Sequence, residues 1–122
     1  MDLSKIKAVP TILVTFSQSY LDGVEMELSG PSHTATKAAE RKRDDAMAQA
    51  GRKGLQADVR RKILDEYLAA RILSWKGIEW DGEEMACNVE NALKILGAPD
   101  LSSIREELLA ALGDDERNYK SA

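Results

Sequence analysis

Few residues of this chain have side chains that could carry out catalysis. His33 is the only histidine and Cys87 the only cysteine, and they lie far apart in the sequence. A zinc site needs several such ligands, and a nucleophile needs a base within hydrogen-bond reach. Glu83 and Glu84 are adjacent, so on an extended segment their carboxylates point to opposite faces. We therefore predict no catalytic residue, no metal and no cofactor, with His33 in solvent and Cys87 a small buried side chain.

Basic residues are the next candidates for a functional site. The segment Gly51-Arg52-Lys53-Gly54 lacks the longer glycine spacing and the Lys-Ser/Thr ending of a phosphate loop, so we interpret it as a break between helices. Residues 37–62 hold nine basic and four acidic residues, a net charge of +5, whereas residues 79–122 hold four basic and eleven acidic, a net charge of −7. The bases favour phosphate contacts, and two helices around a glycine break suggest a helix-turn-helix. Because acids are interleaved and no aromatic residue lies among the bases, we do not expect nucleic-acid binding.

The N-terminal part has the pattern of a β-hairpin. Val9–Phe16 is β-branched and apolar, and Val24–Leu28 alternates apolar and acidic residues. A period of two is typical of a half-buried strand, and Asp22-Gly23 is a turn signal. We predict a hairpin over 9–30.

The remainder of the chain has helical periodicity. The patterns predict four helices and their boundaries, over 33–50 with Ser32 as N-cap, 55–75, 89–96 with Asn88 as N-cap, and 101–112. The first has mainly alanine at its apolar positions, so we expect it to pack weakly. The second carries the widest apolar stripe and is expected to be the central core helix. A connector over 78–85 contains a turn at Asp81-Gly82, and residues 113–122 are expected to form a flexible acidic tail.

Composition places these elements in one domain over 1–122, a mainly α fold of the α+β class with about four helices and an N-terminal hairpin. Of the residues, 43% are hydrophobic and 31% charged, and the net charge is −4. We find neither a signal-peptide pattern nor the roughly 20 apolar residues that a membrane span needs. We expect a cytoplasmic protein without membrane contact.

The order of motifs after the main helix resembles a known family. A Ser-Trp-x-Gly junction, Ser74–Gly77, is followed by the acidic Asp81-Gly82 turn, a helix after Asn88 and a short helix after Pro99. This order resembles the tail assembly chaperones of long-tailed bacteriophages and prophages. Upstream, the strand that ends near Pro31 and the following Arg- and Lys-rich helix also fit, so the resemblance covers about residues 9–112.

The resemblance implies a non-catalytic function in virion morphogenesis. Such chaperones bind the tape measure protein, and possibly tail tube subunits, in the cytoplasm of the host bacterium and are absent from the mature virion. Two other interpretations stay open: a small DNA-binding regulator that uses the basic helices over 37–62, and a structural head–tail or tail-completion component.

The junction also suggests where a partner would bind. Trp75, Ile78, Trp80 and Met85 lie within eleven residues around a glycine break. Both tryptophans could fill the core where the main helix ends, an interpretation that we favour for Trp75. Trp80 lies on the turn, and an exposed Trp in an apolar patch is a common binding anchor. We predict that these four residues, with the alanine-rich helix, form the partner-binding surface, and that this helix also favours self-association.

Overall fold

The computed structural model describes residues 1–51 and 54–121. Arg52 and Lys53 of the predicted helix break lie outside the described residues. The described chain has seven short strands, β1 Ile6–Ala8, β2 Thr11–Thr15, β3 Glu25–Ser29, β4 Ile72–Lys76, β5 Glu79–Trp80, β6 Glu83–Glu84 and β7 Tyr119–Ser121. Its helices are α1 Thr34–Gly51, α2 Ala57–Arg71, α3 Val89–Gly97, α4 Ser102–Leu112 and α5 Asp115–Asn118. The predicted class, mainly helical with an N-terminal hairpin, is confirmed.

The predicted hairpin consists of β2 and β3, which pair antiparallel with Leu13 opposite Glu27. β4 pairs with the other side of β3, so the sheet order is β2-β3-β4. Beyond β4, Gly77 has a φ of 77° and packs against the turn at Gly23. A Cβ at Gly77 would overlap the carbonyl of Gly23, so this contact requires glycine.

The prediction of one helix over 55–75 is wrong at its C-terminal end, because α2 stops at Arg71 and the next five residues form β4. A β-bulge in β4 explains why the apolar spacing looked helical. Ile72 lies opposite Leu28, and Trp75 lies opposite Met26, with the irregularity between them. The extra residue puts two side chains three positions apart on one face of the sheet, as a helix would.

The other helices lie close to their predicted positions. The side chain that caps α1 belongs to His33 and not to the predicted Ser32, since His33 Nδ1 accepts a hydrogen bond of 3.0 Å from the amide of Ala35. Asn88 caps α3 as predicted, with Oδ1 accepting from the amide of Asn91 at 2.8 Å. The predicted turn at Asp81-Gly82 joins β5 and β6.

The core lies between the inner face of the three-stranded sheet and the helices α2, α3 and α4. Its buried members on those elements are Ile12, Val14, Met26 and Leu28 of the sheet, Leu68 and Ala69 of α2, Ala92, Ile95 and Leu96 of α3, and Ile104, Leu108 and Ala111 of α4. Only Thr36 and Ala39 of α1 are buried. Few of its side chains are buried, as expected for an alanine-rich helix, but α1 contacts α2 extensively, so weak packing is not confirmed.

The structure of the C-terminal segment differs from the predicted flexible tail. α5 follows α4 closely, and β7 pairs antiparallel with β1, with Ala8 opposite Tyr119. Asn118 is buried and donates hydrogen bonds to the carbonyls of Ala111 at 3.1 Å and Leu112 at 3.3 Å. The two ends of the chain are therefore joined in one small sheet.

The described ranges, 1–51 and 54–121, hold neither a membrane-spanning helix nor a cluster of metal ligands. No helix there is long and apolar enough to cross a membrane. Nor do three or more His, Cys, Asp or Glu side chains come together there as a metal site would require.

Candidate functional site

An apolar groove of about 300 Å³ runs between α1, α2 and the start of α3. We call it the α1–α3 groove. It is lined by Ala39, Lys42, Arg43 and Ala46 of α1, Ile63, Glu66, Tyr67 and Ala70 of α2, and Val89 and Leu93 of α3. Seven of these ten side chains are aliphatic or aromatic, and three of them are alanine. Small residues allow another backbone to approach closely, so the lining suits a packed helix better than a small polar ligand.

Tyr67 occupies a fixed position in this groove. The guanidinium of Arg43 lies 4.5 Å from the centre of its ring, a cation–π distance. Its hydroxyl accepts a hydrogen bond of 2.6 Å from Nη1 of Arg71. Arg43 also donates to Asp44 at 3.1 Å, which holds the guanidinium over the ring. The groove therefore has an ordered aromatic wall before any partner binds.

Buried polar contacts fix α1 and α2 relative to the sheet. Arg71 is buried and donates from Nη2 to the carbonyl of Ser29 at 2.6 Å. Thr36 is also buried, and its hydroxyl contacts the Ser29 hydroxyl at 2.8 Å and the Gly30 carbonyl at 2.6 Å. The end of β3 thus anchors both helices that form the groove.

A second polar cluster ties α2 to the other helices. The carboxylate of Asp65 is largely buried and accepts hydrogen bonds from Nε of Arg105 at 2.7 Å and Nε of Arg61 at 3.1 Å. Arg61 also donates to the carbonyl of Leu96 at 3.3 Å. Asp65 therefore links α2 to α4 directly and to α3 through Arg61. This partly buried ion cluster positions α2, α3 and α4 relative to one another.

The four predicted partner-binding residues do not form one surface. Met85 is 7% exposed and belongs to the core, so its side chain is not available for binding. Trp75 and Ile78 are half-buried and pack against the core. The indole Nε1 of Trp75 donates to the carbonyl of Met85 at 2.7 Å, which ties the end of the β5–β6 hairpin to β4. Only Trp80, at 37% exposure, presents its ring to solvent.

Residues of the α1–α3 groove were not predicted individually, although the alanine-rich helix was part of the predicted surface. Ala39 and Ala46 on that helix are seven positions apart, which puts them on one face. That spacing was the available signal for the α1 side. Val89 and Leu93 come from a helix far along the chain, and nothing in the sequence indicates that they lie beside α1.

His33 and Cys87, the two residues considered for catalysis, lie in different environments. His33, which was expected in solvent, is half-buried and accepts the helix-cap hydrogen bond described above. Cys87 is exposed, which corrects the prediction of a buried side chain. Partial desolvation raises the pKa of its thiol, so the reactive thiolate is disfavoured near neutral pH.

The oppositely charged regions also remain separate. Among the described residues, no ion pair joins 37–62 to 79–122, since the observed pairs lie within helices or loops or link Asp65 to Arg105. The described charged side chains of the two regions therefore do not neutralise one another through ion pairs.

No family model matches the chain, and no curated protein or solved structure matches it significantly. The resemblance to phage tail assembly chaperones therefore stays a prediction from the sequence.

Proposed function

We propose that this protein is a non-catalytic chaperone of phage tail assembly that binds a helical segment of the tape measure protein in the α1–α3 groove. The groove is the observation that carries the proposal, because it is an apolar surface left open between three helices. The order of sequence motifs supplies the identity of the partner. Tail tube subunits are a second partner class within the same proposal.

The lining of the groove supports a helix as the bound element. An amphipathic helix presents apolar side chains at spacings of three and four residues, and a groove between two helices accepts such a row. Ala39, Ala46 and Ala70 leave room for it, while Val89 is 51% exposed at the end of the groove. Covering Val89 and Leu93 would remove apolar surface from water.

Basic residues in the lining of the groove indicate the charge of the partner segment. Lys42 and Arg43 line the groove, together with one acidic residue, Glu66. A partner helix with acidic residues beside its apolar row would pair with these bases, which favours encounter and fixes orientation. We expect the bound segment of the tape measure protein to have this pattern.

A co-solubility assay tests the binding site. The chain is co-expressed with the tape measure protein of the same genome, and soluble tape measure protein is measured. We expect Ala46→Glu to abolish the rescue, because it puts a charge into the apolar groove. Ala48→Glu is the matched control, since Ala48 is exposed on the same helix and does not line the groove.

A second matched pair tests the α3 side of the groove. Val89→Asp should also lose the rescue, whereas Val59→Asp should retain it, since Val59 is 38% exposed but lies outside the groove. Aspartate is well accepted in the first turn of a helix, so both variants should fold. Equal rescue by all four variants would reject the groove, and no rescue by the unaltered chain would reject the chaperone function.

Two observations distinguish a chaperone from a tail-completion component and from a DNA-binding regulator. A chaperone is absent from purified virions, whereas a tail-completion component is present in them. A DNA-binding regulator would shift DNA in an electrophoretic assay at low salt, with affinity falling steeply as salt rises. The chaperone proposal also expects a tail protein gene upstream and a very long, helix-coding gene downstream.

A further inference from the structure

Strand β2 forms one edge of the three-stranded sheet. β3 pairs with one side of β2, and no strand pairs with its other side in the part of the chain that the structure describes. Residues 8–21, which include β2, contain no charged side chain. Edge strands in soluble proteins usually carry charges, bulges or covering elements that prevent pairing with another chain. β2 has no charge, Pro10 lies directly before it, and α4 packs against it.

The hydrogen-bond register shows which backbone groups of β2 are free. Gly30 donates to the carbonyl of Pro10 at 2.7 Å, so these two residues form a hydrogen-bonded pair. Opposite residues in an antiparallel sheet alternate between hydrogen-bonded and non-bonded pairs. Ile12 and Val14 therefore bond to β3, while Leu13 directs its amide and carbonyl to the free edge. Thr11 and Thr15, two positions to either side, do the same.

Leu13, at the centre of β2, has both free backbone groups and an exposed side chain. Leu13 is 60% exposed on the outer face of the sheet, between two exposed threonines. Its neighbours Ile12 and Val14 are buried on the inner face. A strand added at this edge would thus satisfy backbone groups and cover Leu13 together.

We propose that two copies of this chain associate edge to edge through β2, antiparallel about a two-fold axis at Leu13. The strand sequence Thr-Ile-Leu-Val-Thr is nearly symmetric about its centre. Such an axis puts Thr11 opposite Thr15 of the second copy, Ile12 opposite Val14, and Leu13 opposite itself. This self-complementarity is what a two-fold interface requires, and it selects a second copy over an unrelated strand.

The geometry of this pairing joins two three-stranded sheets into one of six strands. Three outward-directed residues per copy would form three hydrogen-bonded pairs, with about six backbone hydrogen bonds. Because the edge is uncharged, the net charge of −4 on each copy adds no close repulsion at the interface. A contact limited to one short strand is small, below about 1,000 Å², so the association is weak and depends on concentration.

Sedimentation of the full chain tests the association. We expect the weight-average mass to rise with concentration from 13.4 kDa towards twice that value. Leu13→Lys should keep the mass at that of a monomer over the same range, since two lysines would face each other. Val59→Lys, at another exposed apolar site, should behave like the unaltered chain. Thermal unfolding of each variant checks that it is folded.

Cross-linking tests the register, in a background in which Cys87→Ser removes the natural thiol. Leu13→Cys should cross-link to itself with a short bis-maleimide. Thr11→Cys alone should not, because the two equivalent positions would be about 14 Å apart along the strands. A mixture of Thr11→Cys and Thr15→Cys proteins should cross-link to each other.

Three outcomes would overturn the proposal. These are a monomer at every concentration, a dimer that Leu13→Lys leaves intact, and cross-links that form in a different register. The proposal stands apart from the chaperone function, since it needs neither the groove nor a tape measure protein.

Discussion

Asp65 is the polar side chain that links α2 to α4. It is largely buried, and Asp65→Ala leaves Arg105, itself only slightly exposed, without its carboxylate. Breaking a buried pair on one side leaves an uncompensated charge, so we expect a loss of about 2–4 kcal/mol in the free energy of unfolding. Urea denaturation followed by circular dichroism measures it.

Asp45→Ala is the control for this change. Asp45 is an exposed aspartate on α1, and its substitution should alter the free energy of unfolding by less than about 0.5 kcal/mol. If the two alanine variants unfold at the same urea concentration, the Asp65 cluster does not stabilise the fold.

Cys87 should react slowly although it is exposed. Partial desolvation raises the pKa of its thiol, and alkylation proceeds through the thiolate. We expect iodoacetamide to modify the folded chain more slowly at pH 7 than the urea-unfolded chain. The alkylation rate of the folded chain should rise at a higher pH than that of the unfolded chain. The raised pKa of this thiol also makes the stability of the fold depend on pH. As the pH rises, the Cys87 thiol ionises first in the unfolded chain, because its pKa is lower there than in the folded chain. Alkaline pH therefore destabilises the fold, and Cys87→Ser should remove this contribution to the pH dependence. Equal alkylation rates in both states would show that the thiol is not desolvated.

At the scale of elements, the sequence predicted those structures that depend on neighbouring residues. The hairpin, the cap at Asn88 and the turn at Asp81-Gly82 depend on residues close together in the sequence, and all three were predicted. Strand β4 depends on pairing with β3, more than forty residues earlier, and its bulge gives Ile72 and Trp75 a helical spacing. The sequence alone cannot distinguish that strand from a continuing helix.

The candidate site divides in the same way. The alanine-rich helix was predicted as part of a partner surface, and it forms one wall of the α1–α3 groove. The junction residues were predicted because aromatic side chains cluster there, but three of the four pack into or against the core. Clustering in sequence indicates apolar character without indicating which face is covered. The groove needs α3 beside α1, which only the tertiary fold supplies.

At the scale of the whole molecule, the pairing of β1 with β7 makes the C-terminal segment part of the domain. A polar segment after a helix-ending glycine is usually disordered, and that was the prediction from sequence. Asn118 is the residue that changes this outcome. Its buried amide bonds to the last carbonyls of α4, and its own carbonyl accepts from the amide of Val9 at 2.9 Å. The end of one helix and the start of the chain are thus held by one side chain and its backbone.

Truncation after Gly113 tests whether this closure stabilises the fold. We expect it to lower the free energy of unfolding by about 2–3 kcal/mol, because it leaves buried carbonyls at the end of α4 unpaired and exposes Val9. Asn118→Ala should account for most of that loss, about 1–3 kcal/mol. Lys120→Ala is the control, since its side chain is exposed on β7 and should change little. Thermal and urea unfolding compare the three. A truncated chain as stable as the full one would mean that the segment after Gly113 is the dispensable tail that its composition suggests, and that the domain ends with α4.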